Sequence, residues 1–264
     1  MTAVPPVLLP ALGVLGLLIG SFLNVVVHRV PAGLSLVRPG SACPACGHAV
    51  RGYDNVPVIS WLVLRGRCRD CAAPIAWRYP AVEGSAGLLF VAVGLRTGLS
   101  WYLGAVLVLV AAGIALALID LAHQRLPFAV TGTAAALTVP FLAADAVTRG
   151  PAAVPVALAS AGVWLAVYGG VWLVTSGRGM GLGDVALAPL LGLVLGWSGW
   201  GPSLTGLLAG FVLGGMVGVV LIATGQVSRK ARVPHGPFML AGAAAGLFAG
   251  QPLWDVYLTV TGLR

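Results

Sequence analysis

Apolar residues run through this chain in long unbroken stretches, without the strict alternation of a half-buried strand. Eight stretches stand out, at roughly Val7–Val27, Ala81–Leu95, Trp101–Ile119, Phe128–Ala144, Ala152–Thr175, Val185–Trp197, Ser203–Thr224 and Pro237–Gly250. Spanning the hydrocarbon of a bilayer takes about 20 apolar residues in a helix. In lipid, backbone polar groups must be satisfied within the segment, which selects helices for such runs. The pattern predicts an all-α, polytopic membrane helix bundle of about eight spans. The second, sixth and eighth stretches are short; they extend into their flanks or are sheltered by neighbouring helices. One long polar segment, His28 to Pro80, breaks the pattern. The expected divisions are a first span over residues 1–28, a loop over 29–80 and a membrane core over 81–264.

Composition strengthens this picture. Hydrophobic residues make up 59% of the chain and charged residues 8%, and mean hydropathy is +0.99. A soluble domain carries about a quarter charged residues. Met1 to Val27 contains no Lys or Arg, unlike the start of a secretory signal. The first positive charge, Arg29, follows the apolar run, which favours an outside N-terminus and a retained span. With that orientation Arg29, Arg38, Arg51, Arg65, Arg67, Arg69, Arg78, Arg125, Arg178, Arg229, Lys230 and Arg232 lie inside. Only Arg96, Arg149 and Arg264 lie outside. This bias accounts for the net charge of +8 by the positive-inside rule. No basic stripe interleaved with aromatics points to nucleic acid. Gly206, Gly210, Gly214 and Gly218 recur at four-residue spacing, a small-residue face for close helix packing.

All four cysteines sit in the polar loop, as Cys43-Pro-Ala-Cys46 and Cys68-Arg-Asp-Cys71 with 21 residues between the pairs. Two such knuckles read as a tetrahedral Zn²⁺ site; paired or redox-active thiols are the competing reading. A cytoplasmic location argues against disulfides. Four thiolates close the shell, so the metal would be structural and would fold a loop too small for a core. His48 then remains a solvated loop residue.

The acids are Asp54, Asp70, Glu83, Asp120, Asp145, Asp184 and Asp255. Acidic residues in or at the ends of spans are costly and suggest function. Asp145 and Asp255 are expected in solvated positions, and Asp54 and Asp70 on the polar surface of the loop. Asp120 closes the third stretch and Asp184 opens the sixth, so both fall at the cytoplasmic ends of their helices. Two carboxylates at one depth can share a site, one neutral and one ionised, which is aspartic-protease chemistry. The alternative is a pair of helix-end charges that cap or snorkel. Gly179, Gly181 and Gly183 before Asp184 are expected to permit positive φ and close approach of a peptide.

Gly179-Met-Gly-Leu-Gly-Asp184 resembles the GxGD signature of the type IV prepilin peptidases, a signature shared more distantly with presenilin-like proteases. Further similar blocks are Gly20 to Arg29, the four-cysteine loop, Tyr53 to Pro57, Arg78 to Glu83, Asp120 to Pro127 and Pro234 to Phe238. They occur in the family's order along nearly the whole chain. The resemblance implies Asp120 and Asp184 as the catalytic pair. It implies cleavage of the short basic leader of prepilins or pseudopilins after a glycine, on the cytoplasmic face of the cell membrane. It further implies N-methylation of the new amino terminus from S-adenosylmethionine. Two positions depart from the family's habit: Phe128 stands where Asp often follows Leu-Pro, and His28-Arg29 where Tyr-Arg often ends the first block. No glycine-rich motif marks a site for the methyl donor; Glu83, Asn24 and Asp54 are the polar groups that could serve it. A non-enzymatic scaffold or transporter with a zinc-ribbon docking loop is the alternative, and it would place acids near the bilayer midplane.

Overall fold

The computed structural model describes residues 4–226 and 233–263. Arg229, Lys230, Arg232 and Arg264, which enter the charge count above, lie outside the described residues. Within them the regular elements are helical, with two isolated β-bridges. In chain order the α-helices are α1 Leu8–Arg29, α2 Ile59–Val63, α3 Arg78–Thr97, α4 Trp101–His123, α5 Phe128–Arg149, α6 Val154–Val174, α7 Leu182–Trp197, α8 Trp200–Ala223 and α9 Gly236–Val260. All but the short α2 occupy the eight apolar stretches. Five segments are long and apolar enough to cross a membrane: α1, α4, α5, Pro151–Val174 and α8. The remaining long helices, α3, α7 and α9, fill the three stretches that hydropathy finds short.

Several helices outrun their apolar stretches. α3 begins at Arg78 and passes Arg96, and α9 continues past Gly250 to Val260. Hydropathy stops at the first polar residue, whereas helical hydrogen bonding continues and long polar side chains can reach out to the interface. The same effect corrects the expectation for Asp145. It lies inside α5 at 2% exposure rather than in a solvated loop. Trp197 donates its indole N–H to Asp145 Oδ2 at 3.0 Å, and Arg149, one turn along, pairs with it at 3.3 Å. These partners compensate the buried charge.

Contacts divide the chain into two compact units, Met1–Ala115 and Leu116–Arg264. In the first, α1 and α3 form an antiparallel hairpin built on glycine. A Cβ on Gly16 would come within 2.6 Å of the Ala86 carbonyl oxygen, and one on Gly20 within 2.7 Å of the Glu83 Cα. One turn further, Asn24 donates to the Tyr79 carbonyl at 3.3 Å. These contacts recur every fourth residue along α1 and every third or fourth along α3, one face of each helix.

In the second unit α8 and α9 approach in the same way. A Cβ on Gly242 would meet Gly206 O and Gly210 N at 2.5 Å. Of the four-residue glycine stripe, Gly206, Gly210 and Gly214 face α9 or His235 before it, while Gly218 faces open space. α6 and α7 close on Gly192 and Gly196, which press against Ser160 and Trp164. An aromatic seam runs from buried Trp164 and Tyr168 to half-buried Phe211 and His235, with successive ring centroids 5.9, 4.9 and 5.5 Å apart.

Candidate active site and metal centre

Asp120 lies in the last turn of α4, and the chain turns just after it. Gln124 adopts a left-handed conformation (φ 52°) that ends the helix, and its amide bonds back to the Asp120 carbonyl. Leu126 is followed by Pro127, which disfavours helix at Leu126 and starts α5. Asp184 is the third residue of α7. Its Oδ2 accepts the N–H of the N-cap residue Gly181 at 3.0 Å, the return half of a capping box. Asp120 Oδ2 accepts the N–H of Gly236, the first residue of α9, at 3.0 Å. Each carboxylate is thus held through one oxygen on an amide at a helix start, where the helix field favours negative charge.

Both side chains are buried, at 4% and 7% exposure. They lie near enough to interact electrostatically. Asp184 Oδ1 is buried without a hydrogen-bond partner. One residue connects their surroundings. A Cβ on Gly183 would meet Leu126 Cβ at 2.7 Å, and a Cβ on Gly236 would meet Leu126 Cδ2 at 3.0 Å and Asp120 Oδ2 at 2.8 Å. Leu126 is therefore a wedge between the two glycines that adjoin the aspartates. This corrects the expectation for the glycines before Asp184. Gly179, Gly181 and Gly183 are absent from the positive-φ residues, which here are Ser176 and Gly177. Gly183 is small because Leu126 packs on its Cα, not because its backbone is left-handed.

The four cysteines converge as the spacing predicts. Their sulfurs all lie within 4.8 Å of one another, and Cys43 Sγ and Cys71 Sγ are 3.8 Å apart. A tetrahedron of Zn–S bonds of about 2.3 Å has edges of about 3.8 Å. Each pair sits in a matching turn. Cys43 N–H donates to His48 O and Cys68 N–H to Ala73 O, with Gly47 and Ala72 left-handed after the second cysteine. His48 is exposed and lies outside the sulfur cluster. The Cys46 and Ala45 amides lower the Cys43 pKa to about 6. The Ala73 amide alone would lower Cys71, yet burial and the neighbouring thiols push it up to about 12. Four thiolates so close call for a cation among them. The donor set and geometry fit Zn²⁺.

Of the polar groups considered for a methyl donor, Asn24 and Glu83 lie within a turn of each other along the packed α1 and α3 faces, where Gly20 meets Glu83 and Asn24 meets Tyr79, and Asp54 is tied elsewhere. Both Asn24 and Glu83 are buried, at 5% and 8% exposure, on facing sides of the α1–α3 hairpin. Asn24 spends its amide protons on Gly20 O and Tyr79 O, and its Oδ1 has no partner. Glu83 Oε2 accepts the Val58 N–H at 2.7 Å. Asp54 is gripped by Arg69, whose hydrogen bonds hold its carboxyl below the usual carboxylate range.

Residues 14–97 match the family described as Bacterial Peptidase A24 N-terminal domain, and residues 107–219 match the Type IV leader peptidase family. A prepilin leader peptidase/N-methyltransferase of Stutzerimonas stutzeri is 35% identical over 275 residues, covering 93% of this chain and 92% of the relative. One of Myxococcus xanthus is 43% identical over 260 residues, covering 94% and 75%, and one of Pseudomonas aeruginosa is 34% identical over 280, covering 95% and 93%. The chain belongs to the type IV leader peptidase family. No solved structure matches it.

Within this leader peptidase, the family match over 107–219 contains Asp120, Leu126 and Asp184. The match over 14–97 contains the cysteines, Asn24 and Glu83. The scaffold or transporter reading is not favoured, because the two acids sit at helix ends rather than at mid-helix. Sequence reasoning missed two contributors to the site. Leu126 lies in the Asp120 to Pro127 block that the resemblance identifies, but in a chain this apolar nothing local shows what it packs against. Gly236 lies in a block that the resemblance identifies, but nothing local shows that its amide reaches a residue 116 positions away.

Proposed function

We propose that this family member is a membrane aspartic endopeptidase acting on type IV prepilins or pseudopilins, with Asp120 and Asp184 as its catalytic pair. It removes the short basic leader after a glycine and N-methylates the exposed amino terminus. The observation that carries the reading is the matched anchoring of two buried carboxylates, each through one oxygen on a helix-start amide. This leaves the second oxygens for chemistry. One carboxylate, ionised, takes a proton from water; the other, protonated, polarises the scissile carbonyl and later helps protonate the leaving amine.

The enzyme resides in the cytoplasmic membrane with its N-terminus outside and the dyad at the cytoplasmic face, as the distribution of Lys and Arg supports. Its partners are the substrate helix and membrane lipid, without nucleic acid. Cys43, Cys46, Cys68 and Cys71 hold a structural Zn²⁺. S-adenosylmethionine supplies the methyl group. Asn24 Oδ1, buried without a partner, and the Glu83 carboxylate are each an acceptor suited to a cationic group, either the donor's ammonium or the substrate's new amino terminus. Asp54, tied to Arg69, stands at the edge of this assignment.

The test is incubation of the purified enzyme with a candidate prepilin, read by mass spectrometry for loss of the leader and gain of one methyl group. Asp120→Asn, Asp184→Asn and the double variant should be almost inactive in cleavage and non-additive, because the two groups act as a unit. Asp255→Asn, on the partly exposed last turns of α9 and outside the pair, should cleave normally. Substantial cleavage by either single catalytic variant overturns the dyad.

A further inference from the structure

The four-cysteine loop has an apolar face that the metal site and the catalytic chemistry leave unused. Ile59, Leu62 and Val63 of α2 stand at i, i+3 and i+4, one side of the helix, and are 59%, 60% and 69% exposed. The opposite side is pinned. Trp61 donates its indole N–H to Ile75 O at 3.0 Å, and Ser60 donates its hydroxyl to Tyr53 O at 3.1 Å. The apolar stripe is therefore held outward. Tyr53, Trp77 and Tyr79 in the same segment and at the start of α3 are exposed as well.

The depth of α2 follows from one bond. Val58, the residue before α2, donates to Glu83 Oε2 at 2.7 Å. Glu83 is the sixth residue of α3, so its Cα lies about 7 Å inside the helix start at 1.5 Å rise per residue. It packs against Gly20, nine residues before the end of α1, or about 13 Å inside that helix. Helix side chains lean towards the N-terminus, which brings the carboxylate back by a few ångström. Even so, α2 starts level with the terminal turns of the α1–α3 hairpin and not beyond them. Val58 adopts φ 61°, a costly conformation for a β-branched residue, to make this bond.

Charge selects the occupant. The segment Arg29–Arg78 holds seven arginines against Asp54 and Asp70, and both acids are already paired, with Arg69 and Arg51. Among the described residues Arg29, Arg38, Arg65, Arg67 and Arg78 have no ion pair, Arg29 being bonded to the Ser35 and Pro39 carbonyls. A Zn²⁺ centre with four thiolates subtracts two charges and leaves the segment positive. A basic leader peptide would be repelled here. Amphipathic apolar and aromatic side chains at interface depth, beside free arginines, match anionic lipid.

We propose that α2 is an interfacial anchor: its Ile59–Leu62–Val63 face enters the bilayer interface while Arg65, Arg67 and Arg78 bind anionic lipid headgroups, docking the metal loop flat on the membrane. The proposal goes beyond the catalytic reading and does not depend on which membrane face the loop occupies. It is tested on the full-length protein in nanodiscs of phosphatidylcholine, with and without phosphatidylglycerol, by hydrogen exchange over residues 59–66. Phosphatidylglycerol should slow exchange there by roughly tenfold and leave α1 and α3 unchanged. Leu62→Glu with Val63→Glu, and separately Arg65→Gln with Arg67→Gln, should abolish the difference while metal content stays at the parent level. Equal exchange in both kinds of disc overturns the proposal. So does protection that appears only with added prepilin, which marks a substrate surface, or only at high protein concentration, which marks a contact between copies.

Discussion

Leu126 is the residue on which the surroundings of both aspartates lean. Its Cβ and carbonyl abut Gly183 and its methyl groups abut Gly236, so its bulk sets where the α7 and α9 starts stop. Leu126→Ala should lower the cleavage kcat by roughly 10- to 100-fold with KM nearly unchanged, since misplacement by an ångström has effects of this order. Leu126→Met, similar in volume, should restore most of the rate. A parallel rise in KM, or a rate loss explained by unfolding in a thermal melt, would refute the wedge. Gly183→Ala should be as damaging, because the new methyl meets Leu126 Cβ and backbone. The aspartates themselves were legible because acids are rare in so apolar a chain and each ended an apolar stretch. Leu126 was not, since an apolar residue among apolar residues leaves no trace of its partners. Asp145 misled for the opposite reason. It broke the hydropathy of its stretch, and the Trp197 and Arg149 contacts that keep it inside α5 are invisible to composition.

Helices as elements were legible from hydrophobic run length, and their ends were not, because charged turns such as Arg78–Pro80 stay helical. Glycine spacing foretold close packing without naming the partner. The partner of the α8 stripe is α9, whose Gly242, Gly246 and Gly250 meet it backbone to backbone. Gly242→Leu or Gly246→Leu should push these helices apart and cost about 1–3 kcal/mol or more. Gly242→Leu should reduce cleavage as well, because the first amide of α9 is the one that holds Asp120. Gly218→Leu, which meets open space, should melt like the parent. Thermal melts in detergent decide this; a Gly218 variant as unstable as the Gly242 variant would show that the stripe's packing has been misassigned. The metal loop offers a second case. Cys43→Ser should lower bound zinc below one per chain and speed exchange across both knuckles, and full zinc retention after replacing all four cysteines would exclude the tetrathiolate site.

At the scale of the whole molecule, the proposed catalytic pair and the proposed methyl-donor groups fall in different units. The dyad belongs to Leu116–Arg264, whereas the cysteines, Asn24 and Glu83 belong to Met1–Ala115. If cleavage and methylation use these separate groups, single substitutions should separate them. Glu83→Gln keeps an oxygen that can accept the Val58 amide, so the loop stays attached, and it removes only the negative charge. It should cleave prepilin at the parent rate and lose most methylation of a pre-cleaved substrate, a deficit set by a cationic partner that is no longer balanced. Asn24→Leu, which removes the unpartnered buried oxygen, should act in the same direction. Asp184→Asn should show the mirror image, no cleavage with methylation of the pre-cleaved substrate intact. Mass spectrometry of both reactions on each variant reads all of this in one experiment. Should Glu83→Gln and Asp184→Asn each lose both activities, the two reactions share one site. In that event the Asn24 and Glu83 acceptors on α1 and α3 are packing features of the hairpin rather than places where a cation binds.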